Sequence, residues 1–213
     1  INQLNDEEIR NTREKLGIKS GEIVIGNCSN FRREKRHSDL ITAYKHLKEK
    51  GYPVKLILIG DGYMRQTLET MIHKQGLEND VIITGFISDI RPCLAAVDIF
   101  ALTSDAVETL SIAAIESQAM EKALVLSDIG GASEIVNNGE NGYLYPAGNI
   151  PLLTEKLETI LRENKWQAMG EAGYKHACKY FHKEKMVLSY DKLFQHMENG
   201  SQTLEVNKTR VVR

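Results

Sequence analysis

No apolar run in this 213-residue chain approaches the roughly 18 residues of a membrane-spanning helix, so it is not expected to cross a bilayer. Charge of one sign is also lacking. Lys and Arg total 27 against 29 Asp and Glu, a net charge of -2, which offers no basic field for general nucleic-acid binding. Cysteine is scarce: Cys28, Cys93 and Cys178 lie far apart, odd in number and without a C-x-x-C pair. That fits neither a disulfide framework nor a zinc site and points to a reducing compartment, the cytoplasm. The first residues carry no signal-peptide pattern, and an opening on Ile1 rather than Met reads as a processed or a recombinant chain. Peripheral association with the inner membrane face stays open.

Several chemical signatures are missing as well. There is no G-x-G-x-x-G, no Walker A pattern and no H-E-x-x-H, which removes support for a dinucleotide fold, a P-loop NTPase or a zincin. No two aspartates stand two apart, so a D-x-D metal–nucleotide motif is absent, and neither a metal nor a cofactor is expected. The six histidines are scattered and read as surface or core residues. No internal repeat or low-complexity tract appears.

What is present is an ordinary globular balance, 42% hydrophobic and 26% charged, with a strong rhythm. Short apolar runs fall at 22–28, 54–60, 80–85, 97–103 and 123–127, with GYLYP at 142–146 as a weaker sixth. Several are apolar throughout, as strands buried on both faces of a parallel sheet must be. Amphipathic stretches separate them at 37–50, 62–75, 89–96, 111–120 and 131–138. This alternation predicts a doubly wound α/β fold with a mainly parallel, six-stranded Rossmann-like sheet. An opening helix over 6–16, ending at Gly17, places residues 1–20 as a linker segment before a sheet domain over 21–150. From 151 to 198 the pattern is wholly helical, with Trp166, Tyr174 and Phe181 as packing anchors. Asn199-Gly200 closes it, leaving 199–213 as a tail.

Ligands of open α/β sheets bind beyond the carboxyl ends of the strands, and every polar cluster of note falls there. After the first run comes SNFRREKR, whose Arg32, Arg33, Lys35 and Arg36 crowd a helix start. Four cations beside a positive helix terminus are unfavourable unless an anion joins them, so the cluster fits a phosphate site. It fits equally a solvated charge run with Glu34 as partner. After the fourth run, ETLSIAAIES sets Glu108 on a loop and Glu116 more than one turn inside a helix. Two carboxylates so spaced could grip hydroxyls at two points of an elongated ligand, or be plain surface charge. Gly60-Asp61-Gly62 and Gly130-Gly131 read as tight turns or as places of close backbone approach to a ligand.

In order, SNFRREKR, LILIGDG, VIITGF, ETLSIAAIES, DIGGASEIV and NGYLYP resemble the C-terminal, donor-binding domain of GT-B retaining glycosyltransferases of family 4. The first motif is especially similar to the bacillithiol-pathway glucosaminyl malate synthases, and the likeness covers about 20–198. The resemblance implies that a nucleotide-sugar, a UDP-sugar by preference, is the substrate. It implies that Glu116 binds ribose hydroxyls and Glu108 a hydroxyl of the donor sugar. Backbone N–H groups of Leu110, Ser111 and Ile112 would meet the diphosphate, and Lys35 would neutralise it as it leaves. Backbone near Phe86 and Ile87 would contact the base, with Gly60 in the adjoining turn. The pattern differs at Asn30, where the family commonly has Arg, and Arg32 is the implied substitute. It also differs at Thr109-Leu110-Ser111, where small glycine-rich residues are usual. An N-terminal acceptor-binding domain is implied as the missing partner. Two other readings are a nucleotide-sugar epimerase of the same fold and a non-catalytic or receiver-like α/β module. A receiver would carry acidic residues where this chain has RREKR.

Overall fold

A computed structural model describes the backbone of residues 4–106 and 108–210, with side chains through 197. Helix α1 (Asp6–Lys15) opens the chain, capped by Asn5 and Glu8 in a reciprocal pair of hydrogen bonds, and ends at Gly17. Six strands follow: β1 (Ile23–Cys28), β2 (Val54–Ile59), β3 (Val81–Ile83), β4 (Ile99–Leu102), β5 (Ala123–Ser127) and β6 (Gly142–Tyr145). Between them lie α2 (His37–Glu49), α3 (Arg65–Lys74), α4 (Arg91–Ala95), α5 (Ile112–Ala119) and α6 (Ala132–Ile135). Helices α7 (Ile150–Arg162), α8 (Trp166–Tyr180) and α9 (Lys183–Arg210) complete the described chain.

All five strand pairings are parallel, in the order β3-β2-β1-β4-β5-β6. The predicted six-stranded, doubly wound sheet is therefore what the chain forms. Side chains alternate along each strand, so successive residues serve opposite cores. Ile25, Leu56, Leu58, Ile99, Ala101 and Val125 join α2, α3 and α7 on one face. Val24, Ile57, Ile59, Phe100, Leu102 and Leu124 meet α4, α5 and α6 on the other. Both faces are covered, which is why β2 is buried at every position.

Trp166 packs against the first core and Phe181 against the second, whereas Tyr174, expected as an anchor, stands 39% exposed. Helix α9 differs from expectation. It continues through Asn199 and Gly200 to Arg210, although that dipeptide predicted a stop. A helical glycine costs only about 1 kcal/mol relative to alanine, which one interruption in a long helix can absorb. Residues 211–213 lie outside the described residues. Among the described residues no helix is long and apolar enough to cross a membrane.

The chain runs from β1 outward to β2 and β3, then crosses back to β4 on the other side of β1. The carboxyl ends of β1 and β4 thus diverge into loops that leave in opposite directions, and the crevice between them is where this topology puts a ligand.

Candidate functional site

The loop after β1 is shaped by what lies under it. The Phe31 N–H donates to the Asp61 carbonyl at 2.8 Å and the Met64 N–H to the Phe31 carbonyl at 3.0 Å, tying the loop to the turn after β2. Gly60 has φ +138°, and a methyl there would collide with the Ser29 carbonyl, so the approach is between two loops of the protein. The ring of Phe31, fully buried, meets His37 edge-on with centroids 4.7 Å apart. A single 3-10 turn, Arg33–Lys35, then leads through Arg36 into α2. Lys35 consequently stands just outside the helix, beside the crevice.

The loop after β4 supplies the other wall. The Thr103 hydroxyl donates to the carbonyls of Lys35 and Arg36 at 2.8 and 3.0 Å, and the Asp105 N–H to the Glu34 carbonyl at 2.9 Å. Across this seam Lys35 Nζ lies 2.6 Å from Glu108 Oε2, with both side chains under 20% exposed. The Ser104 hydroxyl donates to the same carboxylate oxygen at 3.0 Å. Gly130 and Gly131 press on this wall from the loop after β5. The Gly131 N–H donates to the Thr109 carbonyl, and a methyl at Gly130 (φ +55°) would collide with the Glu108 carbonyl. The close approach expected of these glycines is thus to the backbone carrying Glu108.

Helix α5 starts at the crevice. Its cap, Ser111, accepts from the Ala114 N–H at 3.3 Å. Among the described residues the N–H groups of Leu110, Ser111, Ile112 and Ala113 have no acceptor, so the positive end of the helix offers several free donors next to Lys35 and Glu108. One turn on, Glu116 is partly buried and forms no side-chain hydrogen bond or ion pair among the described residues; burial raises its carboxyl above the usual range. Its neighbour at the end of β1 is Cys28, whose thiol is pushed up to about 11 by burial first and by the Glu116 charge second. Glu116 therefore lies within electrostatic reach of Cys28 at the carboxyl end of β1.

Beneath the site lies a polar network that sequence reasoning missed. Asn27 Nδ2 donates to the Ala101 carbonyl at 2.8 Å, joining β1 to β4, and Asn27 Oδ1 accepts from the Ser29 hydroxyl at 2.9 Å. Since that hydroxyl has given its proton, His37 Nε2, 2.9 Å away, donates to Ser29 Oγ. Burial, with Lys35 adding to it, lowers the His37 pKa to about 4, so the ring is neutral. The usable signal was Asn27 itself, a polar side chain inside an apolar strand, which requires partners.

Lys35, Glu108, the α5 start and Glu116 are thus brought together. Others are not. Arg32 pairs only loosely with Glu34, at 4.0 Å, its side chain more than half exposed. Asn30 is exposed beside the turn that contains Gly60. Phe86, 85% exposed, and Ile87, packed on the second core, follow β3, on the far side of β2 from the crevice. Leu110 and Ile112 are 39% and 72% exposed at the start of α5. The basic cluster is not the unbalanced charge it seemed. Arg36 engages Asp39, three residues on, and also Asp105, while Lys35 engages Glu108; Asp105 and Glu108 are carboxylates that only folding brings near.

The family model "Glycosyl transferases group 1" matches residues 8–176. N-acetyl-alpha-D-glucosaminyl L-malate synthase of Bacillus anthracis is 25% identical over 183 residues, 85% of this chain and 48% of that protein. Alpha-D-kanosaminyltransferase of Streptomyces kanamyceticus is 28% identical over 150 residues, 70% of this chain and 39% of that protein. Among solved structures, HepE of Anabaena in complex with UDP superposes with a TM-score of 0.84 at 26% identity, covering 91% of this chain and 54% of that one. The UDP-glucose complex of the same protein gives 0.83. This chain spans about half the length of the relatives it matches.

Proposed function

Because this chain belongs to the glycosyl transferases group 1, we propose that it is the donor-binding half of a retaining, metal-independent glycosyltransferase that takes a UDP-sugar and transfers its hexosyl group to an acceptor held by a second, N-terminal domain. Residues 21–150 form the nucleotide-sugar-binding unit in this reading, with the helices of 151–198 packing on it. The observation that carries it is the Lys35–Glu108 pair, at 2.6 Å, in the β1/β4 crevice beside a helix start whose first N–H groups have no acceptor among the described residues. The UDP and UDP-glucose complexes of the HepE relative support the choice of donor.

Before a donor arrives, Lys35 and Glu108 neutralise one another. A diphosphate entering the crevice takes over Lys35 and the N–H groups of Leu110, Ser111 and Ile112. Glu108, freed of its cation, then accepts a hydroxyl of the sugar. Glu116 accepts from the ribose hydroxyls; backbone at Phe86 and Ile87, near Gly60, meets the base; and Arg32 swings off Glu34 toward the phosphates, with Asn30 beside it. As the glycosidic bond breaks, negative charge grows on the leaving diphosphate while the sugar gains oxocarbenium character. Lys35 and the α5 terminus supply fixed positive charge where that negative charge develops.

Calorimetric titration with UDP, UDP-glucose and a panel of other nucleotides, with and without EDTA, tests the reading. Binding of a uridine diphosphate that EDTA leaves unchanged is expected; no binding of any nucleoside diphosphate overturns it. Transfer by the reunited halves with retention at the anomeric carbon, read by proton NMR, tests the stereochemistry.

A further inference from the structure

Arg36 occupies a backbone conformation that its side chain disfavours. Its φ and ψ are 46° and 43°, the left-handed region normally left to glycine or asparagine. A residue held there against its preference points to a compensating role elsewhere. The guanidinium shows one. Its Nε lies 2.6 Å from Asp39 Oδ2 on α2, and its Nη1 3.0 Å from Asp105 Oδ2 on the loop after β4. The loop after β6 reaches the same group: a methyl on Gly148 would stand 3.6 Å from Arg36 Nη2. The Arg36 carbonyl meanwhile accepts from Thr103 at 3.0 Å. One residue thus joins the loops after β1 and β4 at the carboxyl edge of the sheet, with the loop after β6 close by. A planar fork can serve two carboxylates on different elements, which a lysine ammonium does poorly.

We propose that Arg36 is a positioning residue for the diphosphate site: by clasping Asp105 to the start of α2, it holds the loop after β4 where Glu108 and the α5 terminus face Lys35. It acts through the loop, since its ion pairs are with Asp39 and Asp105 and neither Lys35 nor Glu108 is among them. Asp105 is three residues before Glu108, so loosening it loosens the wall that carries the carboxylate and the free N–H groups. This rests on the reading of that crevice as the diphosphate site.

The test compares UDP and uridine on the same variants. Arg36→Gly removes the clasp and also relieves the left-handed strain. Asp105→Asn removes only one half-exposed partner, a change that by itself costs little stability. Each is expected to weaken UDP binding about 3- to 30-fold, inside the span of coupling energies within one network. The double variant should bind no worse than Arg36→Gly alone, because that change already removes the contact to Asp105. Uridine, titrated by NMR, should bind all variants about equally, since it uses neither Lys35 nor the helix terminus. Unchanged UDP affinity in both single variants overturns the proposal. So does a parallel loss of UDP and uridine binding tracking a lower unfolding midpoint, because that marks a role in folding alone. Wild-type protein that fails to bind UDP refutes instead the functional reading beneath it.

Discussion

A cation and a carboxylate 2.6 Å apart are each other's counterion until something displaces one of them. A diphosphate bound as proposed must therefore outcompete Glu108 for Lys35, and what the lysine gives it is the worth of a charge-assisted hydrogen bond, about 1.5–3 kcal/mol. Lys35→Ala should accordingly weaken UDP binding about 10- to 150-fold by calorimetry; equal affinity would remove Lys35 from the site. The two glutamates should separate in the same assay. Glu116→Gln is expected to weaken UDP and UDP-glucose alike, whereas Glu108→Gln should spare UDP and lose only the share contributed by the sugar. Equal weakening of free UDP by both would refute that division. His37 makes a prediction about pH. Its folded pKa of about 4 lies below the ordinary 6.5, so between those values the unfolded chain binds a proton that the native state refuses. Stability is unaffected above pH 6.5 and falls as pH drops toward 4, by on the order of 3 kcal/mol. His37→Gln, which keeps a donor for Ser29, should flatten that slope in urea melts at several pH values.

At the scale of elements, the site exists because loops lean on one another. The loop after β5 supports the segment of Glu108 through the Gly131 hydrogen bond to Thr109, and no Cβ fits at Gly130. Gly139 is a natural control: its φ is +88°, yet open space surrounds the position of a Cβ. Gly139→Ala should lose about 1–2 kcal/mol, the left-handed cost for an L residue. Gly130→Ala should lose roughly 1–3 kcal/mol beyond that, since backbone must also move to admit the methyl. It should also weaken UDP-glucose binding by displacing Glu108, whereas Gly139→Ala should not. Denaturant midpoints and calorimetry on both variants decide the matter.

For the whole molecule, the proposed function makes the crevice one wall of a reaction site. Holding donor and acceptor together contributes roughly 7–11 kcal/mol of barrier reduction in well-oriented systems, and a donor half alone forfeits much of it. The 213-residue chain is thus expected to bind UDP-sugar but to transfer sugar far below the usual enzymatic range of about 1–1,000 per second. Adding the N-terminal half of a relative in trans should raise the rate. Turnover within that range by the chain alone would contradict the assignment of a missing acceptor domain.

The order and kind of the elements were legible in the sequence, because burial on both faces of a parallel sheet leaves near-continuous apolar runs that nothing else in the chain imitates. The strands and the helices of the sheet region fall within a few residues of their expected places, as does the position of Glu116 more than one turn inside α5. Loops at the carboxyl edge were legible too, since that edge follows from strand order. What occupies Lys35 and Arg36 was not. Glu108, Asp105 and Thr103 stand about 70 residues away in sequence, and pairing across such a separation is set by the crossover that places β4 beside β1. Asn27, Ser29 and His37 likewise form a network only once β1, its loop and α2 converge. Local periodicity reports which face of an element is apolar; which polar groups meet is decided by the packing of elements, and there the chain's charges found their partners.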